Sequence, residues 1–98
     1  MANQLAANPW LIDTPSATPV YLGTMHAVQV EYIDYTADTD TVEIQDRDGR
    51  VIALLNGAVD LRTVRTGRMG WVYGLKVPVT DSLSRANMAH GRILVYFE

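Results

Sequence analysis

One stretch of the chain alternates apolar and polar residues with the period of two that is typical of β-strands. In TVEIQ, Val42 and Ile44 share one face, and the polar residues share the other. The turn-like sequence DRDG and the apolar run VIALL come shortly after it. Aspartate starts turns by accepting hydrogen bonds from nearby backbone N–H groups, and glycine supplies a positive φ. The pattern therefore predicts a β-hairpin over 41–55.

The stretch 25–35 predicts a long strand in which the alternation changes phase. Val28, Val30 and Tyr32 have the same parity, whereas Ile33 lies on the opposite one. Such a change predicts either that both faces of the strand are covered or that a bulge lies near Tyr32.

The stretch 70–79 predicts a third strand, with large apolar residues at every second position. The residues predicted to share one face are Trp71, Tyr73, Leu75, Val77 and Val79. Gly74 falls on the opposite face, where it leaves room for a neighbouring ring or backbone.

The composition agrees with an all-β domain. Val, Ile and Thr together make up 25 of the 98 residues, and β-branched side chains fit a pleated sheet better than a helix. The spacing of strands and turns predicts a small antiparallel β-sandwich or barrel of about six to eight strands over 19–98. Residues 1–18 contain several Pro, Asn and Ala residues and little periodicity. They are predicted to form an extended N-terminal arm.

Charge and cysteine content exclude several classes of protein. The formal net charge is −3, which argues against a general nucleic-acid binder. The chain has no cysteine, and so it forms no disulfide, thiolate zinc site or cysteine nucleophile. No apolar run reaches the ~18–20 residues of a membrane span. The N-terminal residues also lack the basic and apolar segments of a secretory signal.

The sequence offers weak candidates for chemistry. Ser82, Asp81 and His90 lie in one loop, but no nucleophile elbow surrounds the serine. His26 and His90 are the only histidines, and a catalytic metal site usually takes three protein ligands. DRDG resembles the start of a calcium-binding loop, but Gly57 stands where that loop needs a bidentate acid. We therefore predict a protein that is not an enzyme and has no catalytic, cofactor or metal site.

The predicted strands carry more apolar surface than one small domain covers. The stretches 51–55, 70–79 and 93–97 are apolar on both parities. A two-layer monomer covers only one face of each sheet, so another chain is expected to cover the rest. We expect a homo-oligomer. The residues predicted to bind a partner are Trp10, Leu11 and Ile12 in the arm, and Trp71, Tyr73 and Tyr96 in the body.

Three motifs within 25–98 carry a resemblance to a known group of proteins. They are the hairpin D-x-D-G-R-V-I, the strand G-W-V-Y-G-L-K-V and the terminal strand H-G-R-I-L-V-Y. The matching residues are Asp46, Asp48, Gly49, Val51, Ile52, Gly70, Trp71, Gly74, Leu75, Gly91, Leu94 and Tyr96. With these motifs the chain resembles small virion proteins of tailed bacteriophages, of the capsid decoration or cement type.

The resemblance implies a non-enzymatic structural protein on the exterior of a capsid. Such proteins commonly bind the major capsid protein as trimers and bridge adjacent subunits, often with an N-terminal arm. Two alternatives remain open, a head–tail adaptor and a carbohydrate-binding module associated with a fibre. An exposed row of aromatic residues near Trp71 and Tyr73 would favour the carbohydrate-binding module.

Overall fold

The computed structural model describes Asn3 and residues 5–98, and in this part of the chain it contains strands and no helix. The strands are β1 (Trp10–Ile12), β2 (Tyr21–Ile33), β3 (Thr41–Gln45), β4 (Val51–Asn56), β5 (Val64–Arg65), β6 (Gly70–Leu75) and β7 (Arg92–Phe97). All strand pairs are antiparallel. The prediction of an antiparallel all-β domain is therefore confirmed.

The strands form a larger and a smaller sheet. The larger sheet has the order β1–β7–β2–β5, and β6 also pairs with β2. Ala27 of β2 lies opposite Phe97 on one side and Gly70 on the other, so β6 shares the edge of β2 that β5 occupies. The smaller sheet is the β3–β4 hairpin. Gln45 and Lys76 exchange two backbone hydrogen bonds of 2.8 and 2.7 Å, which connect β3 to the end of β6.

The predicted hairpin is confirmed, and its turn is held as the sequence suggests. The side-chain oxygen of Asp46 accepts hydrogen bonds from the backbone N–H groups of Asp48 and Arg50, both at 2.9 Å. Gly49 has a φ of 87°, a conformation that costs glycine little. These local contacts set the register that brings Ile44 opposite Ala53.

The phase change in β2 comes from a bulge, but not at the predicted place. The register between β2 and β7 shifts between Ala27 and Gln29. Buried side chains change parity there, with Ala27 before the shift and Val30 and Tyr32 after it. On the opposite edge, β2 changes partner over the same residues, from β6 to the segment that leads back to β5.

The predicted facing of the strand at 70–79 is wrong in one respect. Trp71 and Tyr73 are exposed, whereas Val72 and Leu75 are buried. The odd-numbered positions therefore do not face the same side along the whole strand. Gly74 has a φ of 84°, and this left-handed residue reverses which parity faces the core.

The extended arm is not confirmed in the described residues. Trp10–Ile12 form β1, in which Trp10 lies opposite Val95 and Ile12 lies opposite Ile93. Only 7 % of Trp10 and 0 % of Ile12 is exposed. Full burial of such side chains contributes about 1.5–3 kcal/mol each, which favours packing on the chain's own sheet.

The core lies between the two sheets. The largest fully buried side chains are Tyr32, Ile12, Ile44, Leu75, Ile93, Val30, Val42, Val77 and Val95. They come from β1, β2, β3, β6, β7 and the segment after β6. One core therefore unites both sheets and includes Ile12 of β1.

Candidate functional site

The outer side of the β2–β6 ribbon carries exposed aromatic and apolar side chains. Thr24 lies opposite Tyr73 and His26 lies opposite Trp71, so these four side chains share one side of the sheet. Leu22 has the same parity. We call Leu22, Thr24, His26, Trp71 and Tyr73 the aromatic face. The exposed fractions are 64 % for Leu22, 67 % for Trp71 and 55 % for Tyr73, so the chain alone leaves this surface open to solvent.

His26 contacts the edge of the aromatic pair at Trp71, and an ion pair of Arg68 with Glu98 lies beside His26. The His26 ring meets the indole in a T-shaped contact, with ring centroids 5.1 Å apart and planes at 79°. Nδ1 of His26 lies 3.2 Å from Oε1 of Glu98, without hydrogen-bond geometry. Nη2 of Arg68 lies 2.8 Å from the same oxygen. The contact with His26 orients Trp71 and leaves most of its surface free to meet a partner.

Tyr96 belongs to a polar network rather than to the aromatic face. Its hydroxyl donates a hydrogen bond to Glu31, which is buried. Nε of Arg65 lies 2.6 Å from Oε2 of Glu31. The hydrogen bond from Tyr96, followed by the Arg65 contacts, holds the pKa of Glu31 below its usual value although burial opposes this. Tyr96 therefore stabilises the charged form of Glu31 within the sheet.

The six residues predicted to bind a partner lie in different surroundings. Trp71 and Tyr73 are on the aromatic face, whereas Tyr96 is half-buried beside Glu31. On β1, Trp10 and Ile12 are in the core and Leu11 is half-buried. The structure thus brings only Trp71 and Tyr73 together on an open surface. Trp10 and Ile12 are buried within this chain and are not exposed to a neighbour.

A groove of about 540 Å³ lies between β4 and the β5–β6 segment. Its lining residues are Ile52, Ala53, Leu54, Leu55, Arg65, Thr66, Gly67, Arg68, Met69, Trp71 and Val72. They include two arginines and no acidic residue. Sequence reasoning missed this groove because it depends on which strand lies beside β4. The one feature of the sequence that could have indicated the groove was the absence of charged residues from β4.

The polar residues considered for catalysis have separate structural partners. Oγ of Ser82 donates to Oε1 of Glu43 at 2.8 Å, whereas Nδ1 of His90 lies 3.1 Å from Asp40. Glu43 is buried and also accepts hydrogen bonds from Gln45 Nε2 at 2.7 Å and from the backbone N–H of Ser82 at 3.0 Å. These bonds fasten the loop after β6 onto β3. Ser82 and His90 therefore bind different carboxylates.

Potential metal ligands do not cluster in the described part of the chain. Among Asn3 and residues 5–98, no group of three or more His, Asp or Glu side chains is arranged to hold a metal ion. Asp46, which was compared with a calcium-binding loop, is buried and accepts the N–H groups of its own turn.

Asp40 is a structural carboxylate whose charge is stabilised by several donors. Burial opposes the charged form, but hydrogen bonds from His90, Thr36 and Ala37 outweigh it and lower the pKa of Asp40 to about 2. A lowered carboxyl pKa stabilises the fold above the unfolded value of 3.8, and this contribution is lost as the pH falls through about 2.

We expect Asp40→Asn to lower the free energy of unfolding by about 1–2 kcal/mol at neutral pH, allowing for solvent screening. The difference between variant and parent should shrink as the pH falls from 3.8 towards about 2, because the parent carboxylate then becomes protonated. Urea unfolding of both proteins across this pH range measures the difference in the free energy of unfolding. Asp38→Asn is the control, since Asp38 is exposed and should change stability little. An Asp40→Asn effect that does not vary with pH would contradict the assignment.

Comparison with protein-family models, curated proteins and solved structures finds no match. Within the described residues, no helix is long and apolar enough to cross a membrane. What the chain binds is therefore inferred from the aromatic face and the groove.

Proposed function

We propose that this protein is a non-enzymatic structural protein of a virus particle. In this proposal it is a capsid decoration protein that binds the outer shell and bridges adjacent major capsid subunits. The observation that carries the proposal is the aromatic face, where Leu22, Trp71 and Tyr73 each expose more than half of their surface. Exposed apolar patches mark sites of association, and Trp and Tyr are enriched at protein interfaces. The resemblance of the hairpin and strand motifs to virion proteins supports the same function.

The size of the aromatic face favours several copies acting together. Burying its three large apolar side chains would contribute about 1.5–3 kcal/mol each at most. Much of this gain is offset by the lost freedom of the bound molecule, so one copy is expected to bind weakly. A trimer that engages several shell subunits at once gains avidity from the high effective concentration of its second and third copies.

Removing both aromatic side chains should weaken attachment to the shell. We expect Trp71→Ala combined with Tyr73→Ala to lower the affinity for shells of the major capsid protein at least about tenfold, since at least about 1.4 kcal/mol of contact is lost. Co-sedimentation with assembled shells measures the occupancy.

The matched control combines Val59→Ala with Leu83→Ala, which shortens two exposed apolar side chains outside the aromatic face. The control should keep the parental occupancy. Equal occupancy of the aromatic variant and the parent would contradict the role of the aromatic face.

The oligomer is tested by native mass spectrometry. A trimer predicts a mass of about three times 10.9 kDa. A monomer at all concentrations would contradict the trimer. A larger ring would instead support a head–tail adaptor.

A carbohydrate-binding module is the second candidate. Trp71 and Tyr73 are two positions apart on one strand, so their side chains project from the same side about 6–7 Å apart. Exposed aromatic rings in such a row offer flat apolar surfaces to sugar rings. Titration with soluble polysaccharides, followed by Trp fluorescence, tests it. Saturable binding that Trp71→Ala abolishes would favour this function, and no binding of any polysaccharide would exclude it.

A further inference from the structure

One wall of the groove is a strand edge with free backbone groups. Glu43 of β3 lies opposite Leu54 of β4. The backbone N–H of Glu43 donates to the Asn87 side chain at 2.7 Å, and its C=O accepts from that side chain at 3.0 Å. Glu43 therefore points its backbone away from β4. In an antiparallel ladder, Leu54 then points its own N–H and C=O away from β3, towards the outer edge.

The opposite wall is the outer edge of β6. The C=O of Tyr73 accepts the backbone N–H of Arg47 at 2.9 Å, so it points away from β2. Backbone direction repeats every second residue, and Trp71 therefore presents its N–H and C=O on the same outer edge. Trp71 and Leu54 both line the groove. Two strand edges with hydrogen-bonding capacity thus lie on either side of one groove.

Strand β4 has a register irregularity at Ile52, where its pairing with β3 shifts between Ile44 and Gln45, but its regular edge from Ala53 to Asn56 carries no other usual protection. Natural edge strands are protected from pairing by charged side chains, proline, bulges or a covering element. The sequence VIALLN contains no charged residue, proline or glycine. No strand pairs with the outer edge of β4 in the part of the chain that the structure describes. An edge of this composition is suited to accept another strand.

The side chains of the groove indicate what such a strand carries. Met69 and Val72 contribute apolar surface. Nε of Arg65 contacts Glu31 at 2.6 Å, and Nη2 of Arg68 contacts Glu98 at 2.8 Å. The other guanidinium nitrogens have no hydrogen-bond partner among the described residues. Free guanidinium donors beside apolar surface fit carboxylates that alternate with apolar side chains.

We propose that the groove binds an extended acidic peptide segment of another protein, which adds as a strand between β4 and β6. Backbone groups of Leu54 and Trp71 would pair with the segment, its apolar side chains would contact Met69 and Val72, and its carboxylates would face the arginines. Strand addition of this kind takes affinity from main-chain hydrogen bonds and specificity from alternate side chains. The proposal goes beyond the shell-binding function, since it uses strand edges rather than the aromatic face.

The test uses the full chain and a capped synthetic peptide, Thr-Val-Glu-Val-Glu-Val-Thr. Titration followed by NMR should give saturable shifts of the backbone amides of Leu54 and Trp71. The same peptide N-methylated at every valine loses the donors along one edge, and we expect at least about tenfold weaker binding. A version with lysine in place of glutamate should also bind at least about tenfold more weakly, because it faces Arg65 and Arg68.

Two protein variants separate this groove from the aromatic face. Leu54→Pro removes an N–H that faces outward, a position where an edge strand tolerates proline, and should weaken peptide binding at least about tenfold. Tyr73→Ala changes the aromatic face and should leave peptide binding unchanged. If Leu54→Pro fails to fold, the N-methylated peptide decides the question on the unaltered protein.

Three results would overturn the proposal. They are the absence of saturable shifts, equal binding of the N-methylated and unmethylated peptides, and shifts that leave the Leu54 amide unchanged. Self-association that shifts the Leu54 amide without peptide would assign the edge to a second copy of this chain instead. Loss of shell binding in Tyr73→Ala, with peptide binding retained, would leave this proposal standing independently.

Discussion

Replacing Gly74 with alanine is expected to lower the free energy of unfolding by about 2–4 kcal/mol. Gly74 has a φ of 84°, which is strained for a residue with a side chain. A Cβ placed there would lie 2.6 Å from Cβ of Arg47 and 2.9 Å from the backbone oxygen of Tyr21. One neighbour is a backbone atom and the other is a Cβ, so neither can move aside as the end of a flexible side chain can. Backbone strain and steric overlap therefore add. Urea unfolding measures the loss.

Two other glycines separate these causes. Gly70 has a φ of 83°, but a Cβ added to it would meet no atom within 4 Å, so Gly70→Ala isolates the backbone strain at about 1–2 kcal/mol. Gly67 has neither a positive φ nor a close neighbour, and Gly67→Ala should stay within about 0.5 kcal/mol of the parent. Equal effects at Gly74 and Gly70 would show that overlap with Arg47 and Tyr21 contributes nothing.

Gly74 also links the fold to the candidate site. Without its reversal of parity, Trp71 and Tyr73 would lie on the same side as Leu75, which is fully buried. The left-handed residue lets one short strand expose an aromatic pair and then return to the core. The aromatic face is in this sense a product of one backbone conformation.

The hairpin was predictable because its determinants are local. Asp46 meets the N–H groups of residues two and four positions further along, and the turn needs a positive φ where Gly49 stands. Alternation in β3 then fixes which side chains face the core. A period of two in the sequence is enough to predict which side chains face the core where the strand is regular and its turn is short.

The facing of β6 and the groove were not predictable in the same way. A glycine within a strand pattern suggests a bulge, but the sequence does not state the sign of φ. The groove depends on the edge of β4 that β3 leaves free. That edge is defined by the contact of Glu43 with Asn87, which are 44 positions apart. Period and composition carry no information about pairings of this kind.

The N-terminal segment shows the same limit. A strand of three residues, such as β1, is too short to show a period, and its partner β7 lies at the other end of the chain. Proline and asparagine nearby suggested an arm, but Asn8 has a structural role. Its side-chain oxygen accepts the backbone N–H of Phe97 at 3.2 Å, which fastens the entry to β1.

Deletion of residues 1–12 is expected to lower the free energy of unfolding by more than about 5 kcal/mol and to leave the chain largely unfolded. The deletion removes Trp10 and Ile12 from the core and exposes the edge of β7. Trp10 packs against Tyr21 and Phe97 with ring centroids 5.3 and 4.9 Å apart, so its loss also leaves two rings without a neighbour. Circular dichroism and urea unfolding measure the effect.

Single substitutions show whether the loss comes from core packing. Trp10→Ala should cost about 3–5 kcal/mol and Ile12→Ala about 2–5 kcal/mol, because both side chains are buried. Leu11→Ala, on the same strand but half-buried, should cost less than either. If the chain without residues 1–12 unfolds at the same urea concentration as the parent, β1 adds nothing to the stability of the remaining chain. In that case residues 1–12 would be free to lie across a neighbouring subunit, as an arm requires. Because burial of Trp10 and Ile12 and availability to a partner exclude each other, this one measurement decides between them.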